Sequence, residues 1–133
     1  MSAPINYQAY PKFHLALSAA DAGGYDGASA TQLLTGTASG LRDFLYLVLT
    51  PTATTTLGNI IRMFVTDGTT KVPIGDWDLR RLVADATSLW REPILLYPKT
   101  PGPVRLTGTA DRIYISQEKA DTLKMFGQCG DYQ

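Results

Sequence analysis

The feature that most restricts how this chain can fold is a period of two. Apolar residues recur at every second position in several short runs, and turn chemistry closes each run. The clearest case is residues 60–70, IIRMFVTDGTT. Successive side chains on a strand point to opposite faces. Ile61, Met63 and Val65 therefore form one wholly apolar face, which belongs in a core. Ile60, Arg62 and Phe64 form the other, where the Arg62 stem covers its neighbours and a second subunit has a face to cover. Asp67-Gly68 supplies residues for positive φ in a tight turn, and the partner strand starts at Lys71 or Val72. Arg62, Asp67 and the threonines around them resemble a binding site, but a hairpin accounts for all of them.

The other runs follow the same logic. KFHLALS places Phe13, Leu15 and Leu17 on one face. ATQLLTG is a short strand ending at Gly36. LRDFLYLVLT (residues 41–50) is the most apolar run, with Leu41, Asp43, Leu45, Leu47 and Leu49 on one face and Phe44, Tyr46 and Val48 on the other. Both faces are largely apolar, which predicts a central strand. KVPIGDWDL, VRLTG, DRIYISQ and TLKMFGQC complete the set. Strands about ten residues apart predict an all-β fold, a single antiparallel β-sandwich with a jelly roll among its possible topologies. One segment dissents: DLRRLVADATSLW carries Leu79, Leu82, Val83 and Ala86 at helical spacing, so residues 79–88 are either a short helix or a loop leading to a strand near Leu89 and Trp90.

Residues 1–11 read differently. Pro4 and Pro11 flank Ile5, Tyr7 and Tyr10, and proline lacks a donor and fixes φ, so this segment is an extended arm ahead of a domain spanning 12–133. Ile5, Tyr7 and Tyr10, with Tyr132 at the other end, are expensive residues for tails unless the tails dock. They are the predicted contact residues, with the domain itself or another chain as the docking surface.

Composition excludes several functions. Twelve Lys plus Arg balance twelve Asp plus Glu, so there is no basic field for nucleic acid, and copies of the chain do not repel one another over distance. A single cysteine, Cys129, and a single histidine, His14, are too few for a Cys/His zinc site, and no intrachain disulfide is possible. No cofactor is expected. No apolar run reaches the length of about 20 residues that a membrane-spanning helix needs. The start, MSAPINYQAYPKF, lacks the layout of a signal peptide, so the expectation is folding in a cytoplasm with Cys129 reduced.

Catalytic constellations are equally sparse. A nucleophile triad would have to use His14, which alternation places on the exposed face of its strand, and no Gly-x-Ser-x-Gly elbow is present. Asp76 and Asp78 are the one close carboxylate pair on a strand face, and they read as the solvent side of a strand whose Trp77 packs inward. GTASG, GGYDG and GTAD lead into strands and not into helix N-termini, so they are turns and not phosphate cradles. Asp21 and Asp26 lack the closing Glu of a calcium loop. Trp77, Trp90 and the tyrosines could stack on sugars, but in a β-sandwich such residues more often serve the core and interfaces.

The order of pieces carries a resemblance. Leu34-Thr35-Gly36, Thr54-Thr55-Thr56, Ile61-Arg62-Met63-Phe64-Val65, Asp67-Gly68-Thr69, Arg112-Ile113-Tyr114-Ile115-Ser116 and Gly130-Asp131-Tyr132 occur in sequence over residues 30–132. This resembles a recurring type of small virion structural protein of tailed bacteriophages. The chain departs from the type at Cys129 and in LRRLVADATS. The resemblance implies a non-enzymatic capsid decoration (cement) protein that binds the lattice of the major capsid protein and self-associates on the particle. Its location would be the virion, after assembly in the bacterial host cytoplasm. A tail or neck component, or a carbohydrate-binding host-adhesion module, is the alternative.

Overall fold

The computed structural model describes residues 7–21, 27–38, 40–52, 56, 58–79, 94–97, 100 and 103–132. The described chain is all-β. Its strands are β1 (Lys12–Leu17), β2 (Thr31–Thr35), β3 (Leu41–Pro51), β4 (Asn59–Thr66), β5 (Lys71–Leu79), β6 (Ile94–Leu96), β7 (Val104–Thr107), β8 (Arg112–Gln117) and β9 (Leu123–Tyr132). A five-stranded sheet A runs β1-β9-β3-β6, with β7 also on β3, and a four-stranded sheet B runs β2-β8-β4-β5. β7 takes the Leu41–Phe44 part of one edge of β3 and β6 takes Leu47–Leu49. All pairings are antiparallel.

The pairs nest. β4 pairs β5, β3 pairs β6 and β7, β2 pairs β8, and β1 pairs β9. The chain is one long hairpin, folded back at residues 67–70 and rolled so that successive pairs fall alternately in the two sheets. This is the jelly-roll arrangement of the β-sandwich.

The core lies between the sheets. Sheet A contributes Leu17, Phe44, Leu47, Leu49, Leu96, Leu106, Leu123, Met125 and Cys129; sheet B contributes Leu33, Leu34, Ile61, Met63, Ile113 and Ile115. Phe13, Leu15, Val65 and Trp77 pack against this cluster, as alternation predicts. Strict alternation fails in β3. Phe44 pairs with Cys129 and Tyr46 with Gln128, so Leu45 is an extra residue in a β-bulge. The bulge reverses the parity. Phe44 shares the core side with Leu47 and Leu49, while Asp43 faces outward, which corrects the face assignment expected from the sequence. β2 bulges likewise at Leu33, so Leu33 and Leu34 are both buried. β5 bulges at Ile74.

The β4–β5 hairpin forms as expected, with one difference. Its loop runs over the four residues between Thr66 and Lys71, which pair. Gly68 alone in it has positive φ, at 111°. Asp67 serves the turn through its side chain, accepting a hydrogen bond from Thr69 Oγ1 at 3.0 Å, and this bond holds the exposed carboxyl below its usual pKa. Leu79 ends β5 as strand; residues 80–88 of the helix-or-loop segment, with Leu89 and Trp90, lie outside the described residues.

Candidate functional site

The segment ahead of β1 is no free arm over its described part. Ala9 and Asp131 exchange hydrogen bonds (3.2 and 2.9 Å), and the Cys129 amide donates to the Pro11 carbonyl at 3.0 Å. Residues 7–11 thus prolong the β1–β9 ladder. Proline is tolerated at position 11 because only its carbonyl is used there. Tyr132, expected in a tail, is the last residue of β9. Ile5 lies outside the described residues.

This docking buries a charge. Asp43, on the outer face of sheet A, has no exposed surface. Its carboxylate accepts hydrogen bonds from Tyr7 Oη at 3.0 Å, Tyr132 Oη at 3.2 Å, Arg105 Nε at 2.9 Å and Arg105 Nη2 at 3.3 Å. The Tyr7 ring stacks on Tyr132 with centroids 5.3 Å apart, and the Arg105 guanidinium lies over the Tyr132 ring at 5.0 Å. Tyr7 fits because Gly130 lies beneath it: a Cβ there would come within 2.5 Å of the ring. Burial, then the bond to Asp43, pushes the Tyr7 phenol up to about 12. Two of the predicted contact residues, Tyr7 and Tyr132, therefore spend their hydroxyls on their own sheet. Tyr10 packs edge-on against Tyr7 yet remains 54% exposed.

The inner face has its own clamp. Arg42 binds Asp131 through two hydrogen bonds (2.7 and 2.9 Å) and donates to the Thr35 carbonyl at 2.9 Å, tying sheet A to β2 of sheet B. The Asp131 bond raises the Arg42 pKa. At another end of the sandwich, Asp121 accepts from the Thr56 amide and hydroxyl (2.9 and 2.8 Å) and from Asn59 Nδ2 at 2.7 Å. Gln117, fully buried, donates to the carbonyls of Asp121 and Ala19. These groups satisfy one another and staple loops together. Their chemistry is structural.

The remaining sequence candidates are scattered. His14 is exposed on β1 and its ring lies 5.5 Å from Phe126. Asp78 is exposed on edge strand β5, two positions from Asp76, and Trp77 between them packs against the core. Cys129 is buried, which pushes its thiol pKa up. The face of Ile60, Arg62 and Phe64, expected to be open to a neighbouring subunit, is largely closed already. Phe64 is wholly buried, with Gly27 beside its ring, and Arg62 forms a 2.7 Å ion pair with Glu118.

Among the described residues, the open face lies on sheet A instead. His14 and Ala16 of β1, Val48 and Thr50 of β3, and Lys124 and Phe126 of β9 line a shallow groove of about 360 Å³. Alternation alone did not reveal it, because which outer face is covered depends on where loops and arm fall.

Comparison with known proteins found no match, neither a family model nor a curated protein nor a solved structure.

Proposed function

We propose that this chain is a non-enzymatic structural protein of a bacteriophage virion, of the capsid-decoration kind, which binds the shell through the outer face of sheet A. The observation that carries this reading is the groove over Val48, Phe126 and Ala16 with its His14 and Lys124 rim. It offers apolar contact area and few groups for chemistry. The order of strand and turn motifs along residues 30–132 supports the virion assignment, and the jelly roll is a scaffold that viral capsid proteins share with lectins, an argument by analogy of fold. A decoration protein works by repetition. Each copy contributes a modest apolar contact, and the lattice multiplies it.

The test is co-sedimentation with tailed-phage shells lacking the protein, using Val48→Glu and Phe126→Glu. Both side chains are partly exposed on the outer face, so the variants should retain the wild-type melting transition and lose shell binding. Shell binding by neither wild type nor variant would overturn the reading. Hundreds of copies per particle favour the shell; six or twelve would favour a neck or tail role.

A further inference from the structure

A sheet edge that can accept a strand is normally blunted, and most edges among the described residues are. β5 carries Pro73, a bulge at Ile74 and the acids Asp76 and Asp78. β2 is five residues long and bulged. β6 and β7 are only three and four residues long. β1 is the exception. Its ladder to β9 runs from Lys12 to Leu17 without a register shift, and residues 9–11 extend it.

The bonding parity shows which groups are left over. Ala9 and Pro11 bond to β9, and in an antiparallel ladder every second residue does so. Phe13, Leu15 and Leu17 therefore turn their amides towards β9. Lys12, His14 and Ala16 turn theirs to the open side, where among the described residues no strand pairs with them. All three residues are exposed.

We propose that this edge is a homodimer interface, in which β1 pairs antiparallel with β1 of a second copy about a two-fold axis at His14. In that register His14 opposes its own counterpart and Lys12 opposes Ala16, giving about six backbone hydrogen bonds. The pattern is self-complementary. Phe13 meets Leu15 on the core side, so the two cores run on into one another. The two Lys12 side chains lie about 13 Å apart along the strands, beyond the screening length of about 8–10 Å. The zero net charge of the chain adds no long-range repulsion. This inference rests on the strand edge and is independent of the virion reading.

The experiment is sedimentation equilibrium of the purified full chain over a range of concentrations, for wild type, His14→Pro and His14→Asp. Proline at 14 removes a donor on the open side and leaves the β9 bonds in place; aspartate at 14 sets like charges opposite each other. Wild type should dimerise, and both variants should be monomeric with a melting transition near that of wild type. A His14→Cys variant should give a covalent dimer with a short thiol-to-thiol cross-linker, since the native Cys129 is buried. A wild type that stays monomeric at every concentration overturns the proposal, even if the edge captures an extended peptide from another protein. So does a dimer that survives both His14 variants.

Discussion

At the scale of single residues, the chain is organised around charges and rings that need particular neighbours. Asp43 is tolerable without solvent because a guanidinium and phenol hydroxyls converge on it. Tyr7→Phe removes one such bond and should destabilise the protein by about 1–2 kcal/mol in urea titration. Gly130→Ala should cost at least as much by pushing the Tyr7 ring off its seat. The Tyr7 pKa carries a signed prediction. Its folded value, about 12, lies above the ordinary tyrosine value of 10.0. The contribution of Tyr7 is therefore complete below pH 10 and is lost as pH rises through 12. Phenolate absorbance should show Tyr7 ionising late in wild type and earlier in Asp43→Asn, with Tyr7→Phe identifying its step. Cys129, buried and with its thiol pKa raised, should react with an aromatic disulfide reagent only as the protein unfolds.

At the scale of elements, the β3 bulge can be tested directly. Deleting Leu45 removes the extra residue and leaves Phe44, Leu47 and Leu49 on the core side, now in plain alternation against β9. The core keeps its side chains, so the deletion variant should still unfold cooperatively, as read by near-ultraviolet circular dichroism during heating. Loss of that transition would mean that the bulge itself is needed for the fold. The segment before β1 belongs at this scale too. Its hydrogen bonds to β9 and the Tyr7 cover over Asp43 make it a structural strand extension. Deleting residues 2–11 should give a folded protein with a lowered melting temperature. A melting temperature equal to wild type would mean that residues 7–11 do not dock in solution.

At the scale of the whole molecule, the nested hairpin sets the folding problem. Among the paired strands only β4 and β5 are joined by a short turn, and every outer pair closes a longer loop, up to β1 with β9 across nearly the full chain. Contacts so distant in sequence slow folding to about the millisecond-to-second range typical of such topologies. The turn at 67–70 is the natural start. Gly68 has a φ of 111°, and any other residue there is strained. Gly68→Ala should slow refolding in stopped-flow experiments more than it speeds unfolding; the reverse would place turn formation after the rate-limiting step.

The period-two runs determined by themselves that the chain is a β-sandwich, where most strands lie, and that Ile61, Met63, Phe13, Leu15 and Leu17 face inward. Those are local facts: alternation and turn residues act within a few positions of each other. Tertiary structure alone decided the rest. The reversal of parity at Leu45 exists only because β3 must match an unbulged β9. The seating of Tyr7 on Gly130 joins residues from opposite ends of the chain. The closing of the Phe64 face, and the opening of the face bearing Val48 and Phe126, depend on what the rolled hairpin brings over each sheet. A strand's own pattern shows that it has an apolar outer face. It carries no record of what covers that face, because the covering groups lie far away in sequence.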